Sequence, residues 1–283
     1  MVDQAHNLRE LVNKQQEIRV ISVASGKGGV GKSIVSVNLA VALCKLGVRV
    51  LVVDADFGLA NIDIMLGVTS KYNISHFLRG EKTLQGIIQL GHEGVRFISG
   101  GSGMNELLNM DEEQLAELMT GLVRLDEPID MIIVDNGAGI NENIMQMVLA
   151  SSETIIVTTP EPTAILDAYA LVKTIVRRDN SHPLHLLINK CDNKKEAQRV
   201  QDGFIEVIGR HLGKNIDPLG LMMYDHDVPL SIKRQIPITV SDPDCGTSKS
   251  IHQISRAVLD LPGDKTSDRL LPSIFRRLLG ERR

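Results

Sequence analysis

Short apolar runs alternate along this 283-residue chain with longer amphipathic segments. The runs that have the length and β-branched content of strands are 19–25, 48–55, 94–100, 130–136, 153–159, 184–190 and 217–223. Several of them are almost entirely apolar, which is typical of strands buried on both faces of a sheet. The segments between them predict helices over 31–46, 112–124, 141–150, 163–178, 194–211, 227–234 and 247–259. The alternation predicts an α/β fold, in which helices cover both faces of a mostly parallel sheet.

Composition narrows the class of protein. Hydrophobic residues make up 43% of the chain and aromatic residues only 3%, so the core is expected to be aliphatic. The three cysteines, Cys44, Cys191 and Cys245, are far apart and contain no CxxC pair, which argues against a disulfide framework and for a reducing cytosol. A net charge of −4 argues against broad binding to nucleic acid, and we expect no direct nucleic-acid partner.

The two ends of the chain differ from its middle. Residues 1–17 are polar and predict a short helix with a connector, and they contain no apolar stretch of the kind found in signal peptides. Residues 262–268, PGDKTSD, have the composition of a linker. We therefore expect a single domain over 18–261, with an N-terminal element at 1–17 and a separate segment at 262–283.

A glycine-rich loop follows the first predicted strand. Its sequence, GKGGVGKS over 26–33, fits both the dinucleotide fingerprint GxGxxG and the phosphate-loop pattern GxxxxGK[ST]. The second interpretation is favoured because Lys32 would neutralise phosphate charge and the Ser33 hydroxyl would bind Mg²⁺. The dinucleotide interpretation would need a ribose-binding acid, and Asp54 stands near the position of that acid. The nucleotide-binding residues predicted here are Gly26, Gly28, Gly29, Val30, Gly31, Lys32, Ser33 and Ile34.

Acidic residues end two further strands. Asp135 follows four apolar residues and precedes Gly137-Ala138-Gly139, which we expect to be a mobile loop that registers the γ-phosphate. Asp54 and Asp56 follow another strand, and Asp56 lies further out, where it could orient the attacking water. The alternative for Asp135 is that it is an ordinary residue of a strand-to-helix turn. The alternative for Asp54 and Asp56 is that they are polar turn residues that cap the following helix.

The C-terminal segment SDRLLPSIFRRLLGERR predicts a basic amphipathic helix. A short helix of this kind after a linker is typical of an interfacial membrane anchor, and one copy should bind an anionic surface more weakly than two. The alternative is packing of the helix onto the protein's own surface. The residues predicted to meet the membrane are Leu271, Ile274, Phe275, Arg276, Arg277, Leu278 and Leu279.

The loop KGGVGKS over 27–33 resembles the deviant phosphate loop of the MinD/ParA family of P-loop ATPases, and the resemblance extends over about residues 18–260. It implies a SIMIBI-type, MinD-like fold, ATP and Mg²⁺ as cofactors, and an ATP-dependent homodimer in which Lys27 reaches the partner's nucleotide. It also implies slow hydrolysis of ATP to ADP and phosphate. The implied roles are catalysis for Lys27, Lys32 and Asp56, metal binding for Ser33, Asp54 and Asp135, and adenine recognition for Asn189. Two residues depart from the family pattern: Asn136 replaces the usual Thr, Ser or Cys, and Met223 replaces a proline.

Residues 3–12, DQAHNLRELV, resemble the DQAxxLR element of the FlhG branch of this family, also called FleN or YlxH, which regulates flagellar number and placement. In that branch the element stimulates FlhF, a GTPase of the signal-recognition-particle type. The implied partner-binding residues are Asp3, Gln4, Ala5, Leu8 and Arg9. A frayed amphipathic helix is the alternative for this short motif.

The resemblance thus implies a cytoplasmic switch that associates reversibly with the inner face of the cell membrane. A flagellar transcription regulator or switch-complex protein is a further possible partner. A MinD-type division-site regulator and a ParA-like partitioning ATPase remain open as alternatives. Iron–sulfur relatives place cysteines at the dimer axis, and the scattered cysteines of this chain lack that arrangement.

Overall fold

The computed structural model describes residues 18–56, 61–101, 110 and 112–261. Within these residues the strands are β1 (Arg19–Ser25), β2 (Val50–Ala55), β3 (Gln89–Leu90), β4 (Arg96–Ile98), β5 (Met131–Ala138), β6 (Glu153–Thr158), β7 (Leu184–Cys191) and β8 (Asp217–Met223). They form one sheet in the order β3-β4-β2-β5-β1-β6-β7-β8. The short β3 pairs antiparallel with β4, and the other pairs are parallel.

The helices of the described residues are α1 (Lys32–Lys45), α2 (Ile62–Met65), α3 (Ile74–Leu78), α4 (Glu112–Val123), α5 (Glu142–Ala150), α6 (Pro162–Arg178), α7 (Lys194–Leu212), α8 (Asp227–Arg234), α9 (Ile238–Ser241) and α10 (Gly246–Asp260). Two 3₁₀ turns, at Gln85–Ile87 and His92–Gly94, flank β3. The predicted α/β fold with a mostly parallel, helix-covered sheet is confirmed.

The core is divided by the sheet into two layers, because successive side chains of a strand point to opposite faces. Val52 and Ile133 pack in a cluster with buried residues of α1 and α10. Their neighbours Leu51 and Ile132 pack in a second cluster with residues of α4. Residues of α5, α6 and α7 cover the remaining strands on that second side. All six residues of β2 are buried, which explains why its sequence is continuously apolar before Asp54.

The end of β5 differs from the prediction. The strand continues through Gly137 and Ala138, so the expectation of a loop at these two positions is wrong. The pairing with β1 shifts between Val23 and Ser25, where β5 carries an extra residue. The buried Asn136 side chain accounts for the continuation, since its Nδ2 donates to Ser22 Oγ at 2.7 Å and to Val23 O at 3.1 Å. The predicted strand is therefore prolonged by a β-bulge that a side-chain amide stabilises.

A half-buried arginine connects the beginning and the end of the described chain. Arg19, the first residue of β1, donates from Nη1 to the carbonyl oxygen of Val258 near the end of α10 at 2.6 Å. It also pairs with Glu153 at the start of β6. Residues 18 and 261 therefore lie at the end of the sheet where the parallel strands begin.

Two groups of predicted residues lie outside the described residues. They are the partner-binding positions in 1–17 and the membrane-facing positions in 262–283. In the part of the chain that the structure describes, no helix has both the length and the apolar character needed to cross a membrane.

Candidate functional site

The glycine loop connects β1 to α1 at the carboxyl end of the sheet. Gly31 caps α1 with φ 98°, a left-handed conformation that disfavours other residues, and a Cβ there would lie 2.4 Å from Nδ2 of Asn189. A Cβ on Gly26 would lie 2.1 Å from the carbonyl oxygen of Asp167 in α6. The loop is therefore pressed between α6 and the end of β7, and only glycine fits at these two points.

The end of β7 also binds the glycine loop, because two of its side chains donate hydrogen bonds to carbonyl groups of the loop. Asn189 Nδ2 donates to Val30 O at 2.8 Å, and Lys190 Nζ donates to Gly29 O at 2.7 Å. The Oδ1 atom of Asn189 accepts from the backbone amide of Lys190 at 2.8 Å. Asn189 thus supports the loop, and its contact with adenine stays a prediction. Lys190 is a functional candidate that the sequence analysis missed, although its position directly after Asn189 was a usable signal.

Lys32 and Asp135 form the charged centre of the site. Lys32 is buried, and burial lowers the pKa of its ammonium group, while the carboxylates of Asp135 and Asp56 raise it. Burial raises the pKa of Asp135 to about 6, against the opposing effects of hydrogen bonds from Ser33 and Ser36 and of the charge of Lys32. The carboxyl group of Asp135 supplies oxygen atoms of the kind that bind Mg²⁺ in proteins.

Ser36 joins this centre from the same helix as Lys32. Its hydroxyl donates to Asp135 Oδ1 at 2.7 Å. The sequence analysis did not identify it, although its position one helical turn after Lys32 and Ser33 was a usable signal. The structure thus brings the predicted Ser33 and Asp135 together at the first turn of α1, where backbone amides and the helix dipole favour phosphate. These residues fit a magnesium–nucleotide complex, with Ser33 and Asp135 on the metal side.

Asp54 has a different set of partners from those expected of a metal-binding acid. Its carboxylate accepts hydrogen bonds from the backbone amides of Asp56 at 3.1 Å, Asn61 at 2.9 Å and Ile62 at 3.1 Å. Burial and then the neighbouring Asp135, which faces Asp54 across the β2–β5 pairing, raise the pKa of Asp54 well above its usual range. The Asp54 carboxyl group therefore binds the backbone of Asp56, Asn61 and Ile62, and its predicted metal role stays a prediction.

Asp56 lies next to the charged centre. A Cβ on Gly137 would be 3.4 Å from Asp56 Oδ1, so the Asp56 carboxyl group stands close to the backbone of β5. Asp56 also lines the same cleft as Lys32 and Ser33. This position is compatible with orienting water, the role predicted for it.

The two lysines of the loop have different surroundings. Lys32 lines the cleft, whereas Lys27 Nζ donates to Glu161 Oε2 at 2.6 Å and to Thr163 Oγ1 at 2.8 Å at the start of α6. The side chain of Lys27 keeps 36% of its surface exposed. In this conformation Lys27 is thus bound to Glu161 and Thr163 rather than directed into the cleft. Its predicted role across a dimer stays a prediction.

The cleft beyond the loop has a volume of about 620 Å³, which lies in the range of small-molecule sites. Its far wall consists of the end of β8 and one side of α8. Met223 lies in this wall, where the family resemblance places proline. The residues that line this wall are Met222, Met223, Tyr224, Asp225, Val228, Pro229 and Ile232.

Comparison with known proteins agrees with this geometry. The family model of ParA, described as an NUBPL iron-transfer P-loop NTPase, matches residues 17–259. The chain belongs to the ParA/MinD family of P-loop NTPases. Family membership confirms the expected ATPase activity with ATP and Mg²⁺. The three cysteines are free thiols, located in α1, in β7 and directly before α10.

Two curated relatives match most of this chain. The antiactivator FleN of Pseudomonas aeruginosa is 34% identical over 245 residues, which cover 87% of this chain and 88% of FleN. The flagellum site-determining protein YlxH of Helicobacter pylori is 33% identical over 291 residues, which cover 96% of this chain and 94% of YlxH.

Solved structures confirm the MinD-like fold. The cell division ATPase MinD of Pyrococcus furiosus has a TM-score of 0.73 and 25% identity, covering 86% of this chain and 99% of that chain. MinD of Pyrococcus horikoshii OT3, solved with Mg-ADP, has the same TM-score and identity and covers 88% of this chain and 99% of its own.

Proposed function

We propose that this protein is an ATP-driven switch of the FlhG branch that regulates the number or position of flagella. The extent of the similarity to YlxH carries the proposal. It covers 96% of this chain, and the uncovered remainder is shorter than either terminal segment, 1–17 or 262–283. The similarity therefore reaches into both segments, 1–17 and 262–283.

The site supports a switch through its response to nucleotide. Lys32, Ser33 and the amides at the start of α1 bind the phosphates, and Asp135 with Ser33 holds Mg²⁺. Asp56 orients water for hydrolysis, and its carboxyl group lies beside β5, so the two loops that follow β2 and β5 respond to the γ-phosphate together. Lys27 leaves Glu161 and reaches the nucleotide of a second copy, so ATP becomes part of a homodimer contact.

Dimerisation in turn controls membrane binding. One amphipathic helix of the predicted size binds an anionic surface weakly, and two linked copies bind much more tightly because the second association is intramolecular. ATP binding therefore favours the membrane-bound dimer, and hydrolysis returns the protein to the cytoplasm.

A MinD-type division-site regulator is the second candidate. MinD of Bacillus subtilis is 30% identical over 245 residues, covering 84% of this chain and 88% of that protein. The N-terminal segment discriminates between the two candidates, since Asp3, Gln4, Ala5, Leu8 and Arg9 match an element of the FlhG branch.

The test is stimulation of the FlhF GTPase. Purified full-length protein should accelerate GTP hydrolysis by FlhF, and a variant that lacks residues 1–12 should not. Gln4→Ala and Arg9→Ala should reproduce the loss, and Asn13→Ala, which lies outside the motif, should not. Equal stimulation by the full-length and truncated proteins would contradict the assignment to the FlhG branch.

A further inference from the structure

Two lysines approach the ring of Tyr72, near the short edge strand β3. The Nζ atom of Lys82 lies 4.4 Å from the ring centroid, and that of Lys71 lies 5.4 Å from it. Both distances are in the range of cation–π contacts. A hydrogen bond from Lys82, and then the charges of both lysines, lower the pKa of the Tyr72 phenol. The two ammonium groups therefore act on the same aromatic side chain.

The charge of the two ammonium groups is not balanced by the described residues. Neither lysine forms a salt bridge with a carboxylate of the described part of the chain, and the nearby Glu81 pairs with Arg79 at 3.4 Å. Residues 70–92 contain three basic residues and one acidic residue, a net charge of +2 in a chain whose net charge is −4. Like charges at one ring repel each other, so an anion that binds both of them is favoured.

The backbone around Tyr72 is held by β3. The side chain of Gln89 accepts from the amide of Lys71 at 3.3 Å and donates from Nε2 to the carbonyl oxygen of Tyr72 at 3.1 Å. The His76 ring packs against the Tyr72 ring edge to face, with centroids 5.3 Å apart and an interplanar angle of 77°. Such ring pairs favour defined orientations, so the position of the Tyr72 ring is fixed before a ligand binds.

The same segment is attached to the helix that follows the Asp56 loop. The amide of Ile74, at the start of α3, donates to the carbonyl oxygen of Ser99 at 3.1 Å. The Ser99 hydroxyl in turn donates to Oδ2 of Asp63 in α2 at 3.4 Å. A partner bound at Tyr72 would therefore be connected with α2 through Ser99.

We propose that Tyr72, Lys71 and Lys82 form a docking site for an acidic segment of a partner protein, whose carboxylates bind the two ammonium groups. A protein segment suits the site better than a lipid surface. Ser99 directly follows β4, so the site lies toward the end of the sheet where the parallel strands finish, whereas residues 18 and 261 lie at the other end. The three residues lie outside the nucleotide cleft, so the proposal does not depend on the proposed switch.

Titration with a hexaglutamate peptide tests the proposal, with the tyrosine ring signals in NMR as the readout. The chain has three tyrosines, so ¹³C-labelled tyrosine gives a small set of signals that Tyr72→Phe assigns. In the full-length protein with Mg-ADP bound, the peptide should shift the Tyr72 signal and leave those of Tyr169 and Tyr224 in place. Lys71→Gln and Lys82→Gln should each weaken the binding by about 2- to 5-fold. The double variant should lose most of it.

Three controls accompany the titration. Lys249→Gln removes an exposed lysine from α10 and should leave the peptide affinity unchanged. Inorganic phosphate at the same ionic strength tests whether any small anion is sufficient. Phosphatidylglycerol vesicles test a lipid surface, with full-length Phe275→Glu as the protein so that the C-terminal segment does not supply the contact.

An unchanged Tyr72 signal throughout the peptide titration would overturn the proposal. An equal shift with phosphate would also overturn it, because the site would then bind any small anion. A response to vesicles but not to the peptide would assign the surface to a membrane instead. Wild-type peptide affinity in the double lysine variant would show that the shift arises from binding elsewhere.

Discussion

Lys27 Nζ lies 2.6 Å from Oε2 of Glu161 and 2.8 Å from Oγ1 of Thr163 in the same chain. The side chain of Glu161 is 65% exposed, and exposed ion pairs contribute little to stability. The phosphates of a second copy can therefore replace Glu161 at small cost, since they carry more charge and become buried in a dimer. In the proposed switch, Lys27 is bound by Glu161 in the monomer and by the partner's nucleotide in the dimer.

Lys27→Ala should bind Mg-ATP and remain a monomer. The reason is that Lys32, Ser33 and Asp135 all remain for binding within one copy, while the contact across the dimer is lost. Light scattering with Mg-ATP measures the mass, and Lys195→Ala, which removes an exposed lysine on α7, is the control that should still double in mass. A dimer of Lys27→Ala in ATP would refute the role across the interface.

Asp56→Ala should trap the ATP state. Loss of the group that orients water should reduce hydrolysis by about 10²- to 10⁴-fold while ATP affinity stays close to that of the wild type. The dimer should then persist in ATP for longer than that of the wild type, as measured by phosphate release and light scattering together. Asp202→Ala, on the exposed face of α7, serves as the control. Monomeric behaviour of Asp56→Ala in ATP would remove Asp56 from this role.

Asn189→Ala should loosen the glycine loop. The substitution leaves Val30 O without its side-chain donor and the Lys190 amide without its acceptor, and such losses cost about 1–3 kcal/mol. We expect lower stability in denaturant and weaker binding of Mg-ADP. Asn193→Ala removes the side-chain cap of α7 and should lower stability by about 0.5–2 kcal/mol without changing nucleotide affinity. Equal nucleotide binding by the two variants would show that the loop does not depend on Asn189.

Stability should fall in mild acid because of His182. Burial lowers the pKa of this histidine to about 4, although Asp179 raises it, and its Nε2 lies 2.8 Å from Thr154 Oγ1. In the unfolded chain the ring titrates near 6.5, so between pH 6.5 and 4 the unfolded state binds more protons and acid favours unfolding. The expected loss is on the order of 3 kcal/mol between pH 7 and 4.

Denaturant unfolding over this pH range measures the effect. His182→Gln keeps a polar side chain and loses the titration, so its stability should depend less on pH. Burial raises the pKa of the nearby Glu153, but hydrogen bonds from His185 and Arg19 together outweigh it and hold this pKa below its usual value. The same pH slope in His182→Gln and the wild type would contradict the assignment.

Capture by anionic liposomes should require the apolar face of the C-terminal segment. Phe275→Glu places a charge on that face and should abolish sedimentation with liposomes in Mg-ATP. Thr266→Glu adds the same charge in the linker and should leave capture unchanged. Retention of Phe275→Glu on the liposomes would contradict the proposed membrane contact.

The fold was predictable because its strands are buried on both faces, as the run MIIV before Asp135 shows. The end of that strand was not, because it depends on the side chain of Asn136 meeting Ser22 and Val23 on a neighbouring strand. The family resemblance implied that Asp54 binds a metal. In the structure its carboxylate accepts from the amides of Asn61 and Ile62, contacts that residue spacing does not predict.

The charged centre was partly predictable for a related reason. Lys32, Ser33 and Asp135 follow a motif whose chemistry requires these residues. Lys190 and Tyr224 belong to no such motif, and the pairing of β7 with β6 and with β8 brings them to the cleft.

The contact of Arg19 with Val258 holds the start of β1 beside the end of α10, away from the cleft. The cleft opens where the parallel strands end, and the first and last described residues, 18 and 261, lie at the opposite end of the sheet. A surface that tethers the chain after residue 261 therefore also concentrates residues before 18 within reach of that surface. A partner that binds the N-terminal residues would then find them held near that surface instead of distributed through the solution.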